Sequence, residues 1–129
     1  MVYLLDTVTV VRHFSGTGKI GRRASEVLAT ADSGNNLFAI SAISLMEILY
    51  LAEKKRIQLD LAETVRAIQL SKNYLMVDLN HHVLSVATTI DFPELHDRLI
   101  LATAKWMEVS ILSSDRAFRD IDGIDVIWD

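Results

Sequence analysis

The chain of 129 residues carries a formal net charge of −4, half of its residues are hydrophobic, and it has no cysteine. These values exclude a disulfide framework and a thiolate metal site. They argue against a generic basic nucleic-acid binder, which gains affinity by broad phosphate neutralisation, but they leave room for an enzyme that handles nucleic acid through bound cations.

The length suits one domain that removes roughly two thirds of its unfolded surface from water. No repeat or Ser/Gly-rich linker divides residues 1–129, so one domain over the whole chain is expected. No apolar run reaches the ~18–20 residues that span a bilayer. The start MVYLLDTVTVVRHF has no basic n-region, and Asp6 and Arg12 interrupt its apolar stretch. It reads as the first strand and helix of a mature protein rather than a signal peptide. The expectation is a soluble, cytoplasmic protein with no membrane partner.

Residues 2–5 (VYLL) form a short apolar run, read as a buried strand. A helix follows through about Phe14 and stops near Gly16. Residues 18–34 read as a second helix, with Ile20, Ala24, Val27, Leu28 and Ala31 at helical spacing and Gly34 near its end. LFAI (37–40) is a second strand. Ser44 to Glu47 opens a helix running to about Lys54, and Asp60 or Leu61 starts another that lasts to about Lys72. YLMVDL (74–79) is a third strand, and HHVLSVATTI (81–90) is helical. After Pro93 comes a helix over 95–107, then strands VSILS (109–113) and DVIW (125–128). Short apolar strands alternating with helices predict an α/β fold with a mainly parallel sheet.

Acidic residues recur where core residues are expected: Asp6 in YLLDT, Glu47 in ISLMEIL, Asp97 in ELHDRLILATAKW and Asp115 in ILSSDRAF. In an open α/β sheet, ligands sit beyond the carboxyl ends of the strands. Asp6 follows the first strand and Asp115 the fourth; Glu47 and Asp97 fall at helix starts. Right-handed crossovers would bring all four to one edge. Each also has a local explanation. Ser44-x-x-Glu47 reads as a capping box, Asp97 complements a helix dipole, and Asp115 suits an N-cap. Asp6 is the hardest to explain in this way, because Thr7 could cap the first helix without it. Two carboxylates about 5 Å apart repel by roughly 3 kcal/mol at an effective dielectric of 20, so four together call for a cation, a proton or an arginine. Oxygen-only donors favour Mg²⁺ or Mn²⁺, and such a site suits metal-assisted phosphodiester hydrolysis.

Together, Asp6 after the first strand, SAISLMEIL, HDRLILATA and ILSSDRAF resemble a PIN domain, with the VapC-type toxin ribonucleases of toxin–antitoxin pairs as the nearest subgroup. The resemblance runs through the chain in order, and DVIW fits the family's last strand. It implies a PIN-like three-layer α/β/α fold with a central five-stranded parallel sheet, and a Mg²⁺- or Mn²⁺-dependent endoribonuclease that cleaves RNA. It also implies a homodimer and a cognate antitoxin lying in a groove near the active site. Carried over by position, Asp6, Glu47, Asp97 and Asp115 are the metal and catalytic acids, with Thr7 and Ser113 as supporting hydroxyls. Many relatives have a longer acidic-proline segment before the third acid, whereas Asp97 directly follows His96. Asp120 and Asp122 stand near the fourth acid without an assigned role.

The remaining polar residues have bland readings. His13, His81, His82 and His96 read as structural or solvated, with His96 the one adjacent to a proposed ligand. Arg98 and Arg116 either bind phosphate or pair with the acids they follow. The groups Lys19/Arg22/Arg23 and Lys54/Lys55/Arg56 read first as helix-end cations, with an RNA contact as the minority reading, and Trp106 and Met107 as core or dimer contacts. The rival functions are a catalytically silent PIN-like binding protein whose acids hold a partner's basic side chains, an Asp-based phosphatase and a receiver domain. The phosphatase reading lacks an aspartate two residues after Asp6, where Val8 stands, and the receiver reading lacks a lysine at the final strand.

Overall fold

The computed structural model describes residues 1–129. Strand β1 (Val2–Leu5) leads into helix α1 (Thr7–Ser15), which Gly16 ends in a left-handed conformation. Helix α2 (Arg22–Leu28) continues as a 3₁₀ segment, Ala29–Ser33, before β2 (Leu37–Ser41) and α3 (Ala42–Glu53). Next come α4 (Leu61–Leu70), β3 (Tyr74–Val77), α5 (His81–Ala87) and α6 (Leu95–Met107). Strand β4 (Ser110–Leu112), a 3₁₀ segment Arg116–Asp120 and β5 (Val126–Ile127) close the chain.

The strands make one five-stranded sheet in the order β3-β2-β1-β4-β5, and every pairing is parallel. Side chains alternate across it, as the two-residue period of a strand requires. Leu4, Ala39 and Ile111 join a core with α5 and α6. Leu5, Ile40 and Leu112 join a second core with α1 to α4. Two cores on opposite faces are the three-layer α/β/α arrangement. The chain builds β1 to β3 on one side and then returns to place β4 on the other side of β1. The gap between β1 and β4 is therefore the topological switch point, where the strand ends leave a crevice. No helix is long and apolar enough to cross a membrane.

Two local expectations are corrected. Ser44 and Glu47 do not form a capping box: β2 runs on to Ser41, whose hydroxyl accepts from the Ile43 N–H and caps α3. Glu47 consequently sits in the second turn rather than the first, and no capping role accounts for it. Thr7 is not the cap of α1 either. Asp6 is, accepting from the Thr9 N–H, because the backbone is already extended at Asp6 and helical from Thr7.

Candidate active site

Asp6 leaves the end of β1 beside β4, and its backbone N–H donates to the Leu112 carbonyl at 3.3 Å. The residue is only 7% exposed. Oδ1 accepts from the Thr9 N–H at 2.9 Å and from Thr9 Oγ1 at 2.6 Å, and Oδ2 accepts from Ser113 Oγ at 2.5 Å. Burial raises the Asp6 pKa; the Ser113 and Thr9 hydrogen bonds oppose that rise, and the charge of Asp115 adds to it. Ser113, fully buried, also accepts from the Asp115 N–H at 3.0 Å. Asp115 in turn caps the 3₁₀ segment by accepting from the Ala117 N–H, so the local reading of Asp115 holds alongside its place at the strand end.

Glu47 is tied to the opposite helix. Thr7 Oγ1 donates to Glu47 Oε1 at 2.6 Å and lies 3.0 Å from the buried Ser44 Oγ. Thr7 thus joins the first turn of α1 to the second turn of α3. Sequence reasoning placed Thr7 and Ser113 as supports, read Ser44 only as a capping partner of Glu47, and missed Thr9. The signal available for Thr9 was a lone hydroxyl at a position where a β/α core expects an apolar side chain.

Asp97 stands in the first turn of α6, where its N–H donates to Glu94 Oε2 at 2.8 Å. Its pKa is pushed from 3.8 up to about 6, first by burial and then by the charges of Glu94, Glu47, Asp115 and Asp6. The four acids picked out from the sequence are therefore close enough to act on one proton. Glu94 joins them as an unanticipated fifth, its signal a carboxylate at the cap position three residues before Asp97. None of the five is ion-paired to lysine or arginine; His96 approaches Glu94 at 3.2 Å rather than Asp97. The acids do not form a closed cage: no three His, Cys, Asp or Glu side chains are gathered at ligating distance. The all-oxygen donors and the unneutralised charge fit a hard divalent cation.

The other polar residues fall outside this cluster. His13 Nε2 meets the Tyr74 hydroxyl at 2.5 Å, and burial lowers its pKa. His81 and His82 are exposed, and the His82 ring lies parallel to Trp106 within 5°. Asp120 and Asp122 line a separate cavity of about 470 Å³ with Lys105 and Asp91. Arg22 pairs with Glu26, and Lys54 sits over the Tyr50 ring. Arg98 and Arg116 form no ion pair, and Arg98 Nε is buried without a hydrogen-bond partner. Beside Glu47, a groove of about 430 Å³ is lined by Met46, Tyr50, Leu51 and His96.

Solved structures share this architecture. The chain is similar to VapBC2 from Rickettsia felis bound to a DNA fragment from their promoter, at 19% identity, TM-score 0.77 and full coverage of both chains. DNA-bound VapBC from Salmonella typhimurium matches at 18% identity and TM-score 0.71, covering 98% of this chain and 97% of that one. A toxin–antitoxin complex from Klebsiella pneumoniae matches at 22% identity and TM-score 0.64, covering 97% and 95%. At these identities the likeness is one of fold. No curated protein matches the chain. The PIN domain family pattern, however, matches residues 3–124, nearly the whole length, in the strands and helices that carry Asp6, Glu47, Asp97 and Asp115. The chain belongs to the PIN domain family.

Proposed function

We propose that this protein is a divalent-metal-dependent endoribonuclease, a VapC-type toxin formed by one PIN-like domain over residues 1–129. What supports the reading is that the charges of Glu47, Asp115 and Asp6 all help raise the Asp97 pKa, with no lysine or arginine paired to any of the four. Their shared position beyond a β1/β4 switch point is where an α/β sheet binds its ligand.

Asp6, Asp97, Asp115 and Glu47 would hold Mg²⁺ or Mn²⁺. When bound, the ion supplies an activated water and stabilises charge on the phosphate. The protein's own contribution is positional. Ser113 and Thr9 lock both oxygens of Asp6, and Thr7 sets the Glu47 carboxylate. Arg98, uncommitted to any acid, is available to an RNA phosphate. The groove beside Glu47 would receive a segment of a cognate antitoxin; the Klebsiella relative being a toxin–antitoxin complex supports this partner. Exposed Trp106 and Leu84 suit a homodimer face, and the protein acts in the cytoplasm.

The open spacing of the acids also supports a second reading, in which they hold basic side chains of a partner without catalysis. Incubation of total RNA with purified protein, with and without Mg²⁺ or Mn²⁺, separates the two. Discrete internal cuts that need the metal and disappear in Asp97→Asn are expected. Intact RNA under every metal condition would overturn the nuclease reading.

A further inference from the structure

Asp6 is held by two hydroxyls. Ser113 comes from β4's end, where the fourth acid also lies. The other hydroxyl is that of Thr9, fully buried in the first turn of α1. Thr9 Oγ1 lies 2.6 Å from Asp6 Oδ1 and 2.9 Å from the carbonyl of Leu112, the last residue of β4. The Thr9 N–H already donates to the same Oδ1, and that backbone bond is all that capping requires.

The neighbours Val8, Val10 and Val11 show that valine suits this helix. A buried hydroxyl in its place carries a desolvation cost that only its partners can offset. Its one proton goes to the nearer acceptor, the acid itself, with the Leu112 carbonyl just before Ser113 lying alongside. With Ser113 on Oδ2 and Thr9 on Oδ1, the Asp6 carboxylate cannot turn about its own bond without losing a hydrogen bond at one end.

We infer that Thr9 is a positioning residue whose hydroxyl, by donating to Oδ1, fixes the Asp6 carboxylate in the orientation that a divalent cation uses. It acts through Asp6 and touches neither ion nor RNA; the inference rests on the metal-dependent reading above.

The test is Mn²⁺ binding followed by electron paramagnetic resonance without RNA, at a temperature where every protein is folded, together with melting in EDTA. Thr9→Val keeps the shape and removes the hydroxyl, whereas Thr9→Ser keeps the hydroxyl. Loss of an outer partner of a metal ligand weakens binding by about 10–100-fold. Thr9→Val should therefore bind Mn²⁺ on the order of tenfold more weakly, with Thr9→Ser close to wild type. A purely structural threonine would lower the melting temperature without changing the affinity of the folded molecules. Wild-type affinity in Thr9→Val, or equal weakening in both variants, overturns the assignment while leaving the nuclease reading intact. A wild-type protein that binds no Mn²⁺ overturns both. Should Thr9→Val not fold, Thr9→Ala against Thr9→Ser decides by the same criterion.

Discussion

At Asp97 opposing effects can be ranked. Its place in the first turn of α6 favours a negative charge by about 0.3–1 kcal/mol, yet the group is pushed from 3.8 up to about 6. Burial and the carboxylates around it outweigh the dipole. The folded, metal-free protein therefore holds this proton more tightly than the unfolded chain. Its stability falls as pH rises from about 4 to 6, and the full penalty persists above that window. Unscreened, a shift of that size is worth roughly 3 kcal/mol; with the side chain partly in water, about 1 kcal/mol is the better expectation. Asp97→Asn should raise the melting temperature in EDTA at pH 7.5 by about 3–5 °C. The gain should vanish near pH 4, and Mn²⁺-dependent cleavage should be lost. A mutant that melts lower at pH 7.5 and still cuts RNA would refute both the electrostatic account and the assigned role. The acid itself was visible in the sequence as a charge interrupting an apolar stripe. Glu94 was not, since a carboxylate ahead of a helix reads as an ordinary cap until its distance to Asp97 is known.

At the scale of the element, Asp6 serves two ends at once: it caps α1 and presents a buried carboxylate to the site. The two roles separate by substitution. Asparagine retains an oxygen that accepts from the Thr9 N–H, whereas alanine does not, and losing such a cap costs about 1 kcal/mol. Asp6→Asn should melt close to wild type and Asp6→Ala several degrees lower, while neither cleaves RNA. Retained cleavage in Asp6→Asn would show that the charge is dispensable. The misreading of α3 belongs to the same scale. Ser41 and Ser44 are equally plausible caps by residue type. The choice depends on how far β2 pairs with β3, which reaches Ser41 opposite Val77. Helix 95–107, by contrast, was read to the residue, because Pro93 and a long apolar periodicity bound it on both sides.

For the whole molecule, closure depends on the short edge strand β5 and the residues after it. The Ala24 N–H donates to the Trp128 carbonyl at 3.0 Å, which ties α2 to the last residues of the chain. Gly21 makes this approach possible: a Cβ there would lie 2.2 Å from the Trp128 carbonyl oxygen. Gly21→Ala should therefore destabilise the fold by about 2 kcal/mol, with a change in tryptophan emission as Trp128 is displaced. Melting and emission indistinguishable from wild type would show that the contact yields freely.

Element identity was a property of the sequence alone, because a period of 2 or 3.6 residues is set by local backbone geometry. The same local rules put Asp6 and Asp115 just past strands and Asp97 at a helix start. Strand order was not local. Nothing in the residue pattern dictates β3-β2-β1-β4-β5, yet that order alone sets Ser113 against Asp6 across 107 positions of sequence. The capping residues, the Thr9 and Thr7 hydrogen bonds and the raised pKa of Asp97 likewise awaited the tertiary structure. Hydrogen bonds act over about 3 Å and charges over a few ångströms more, and those distances are measured through space, where the chain's own order no longer counts.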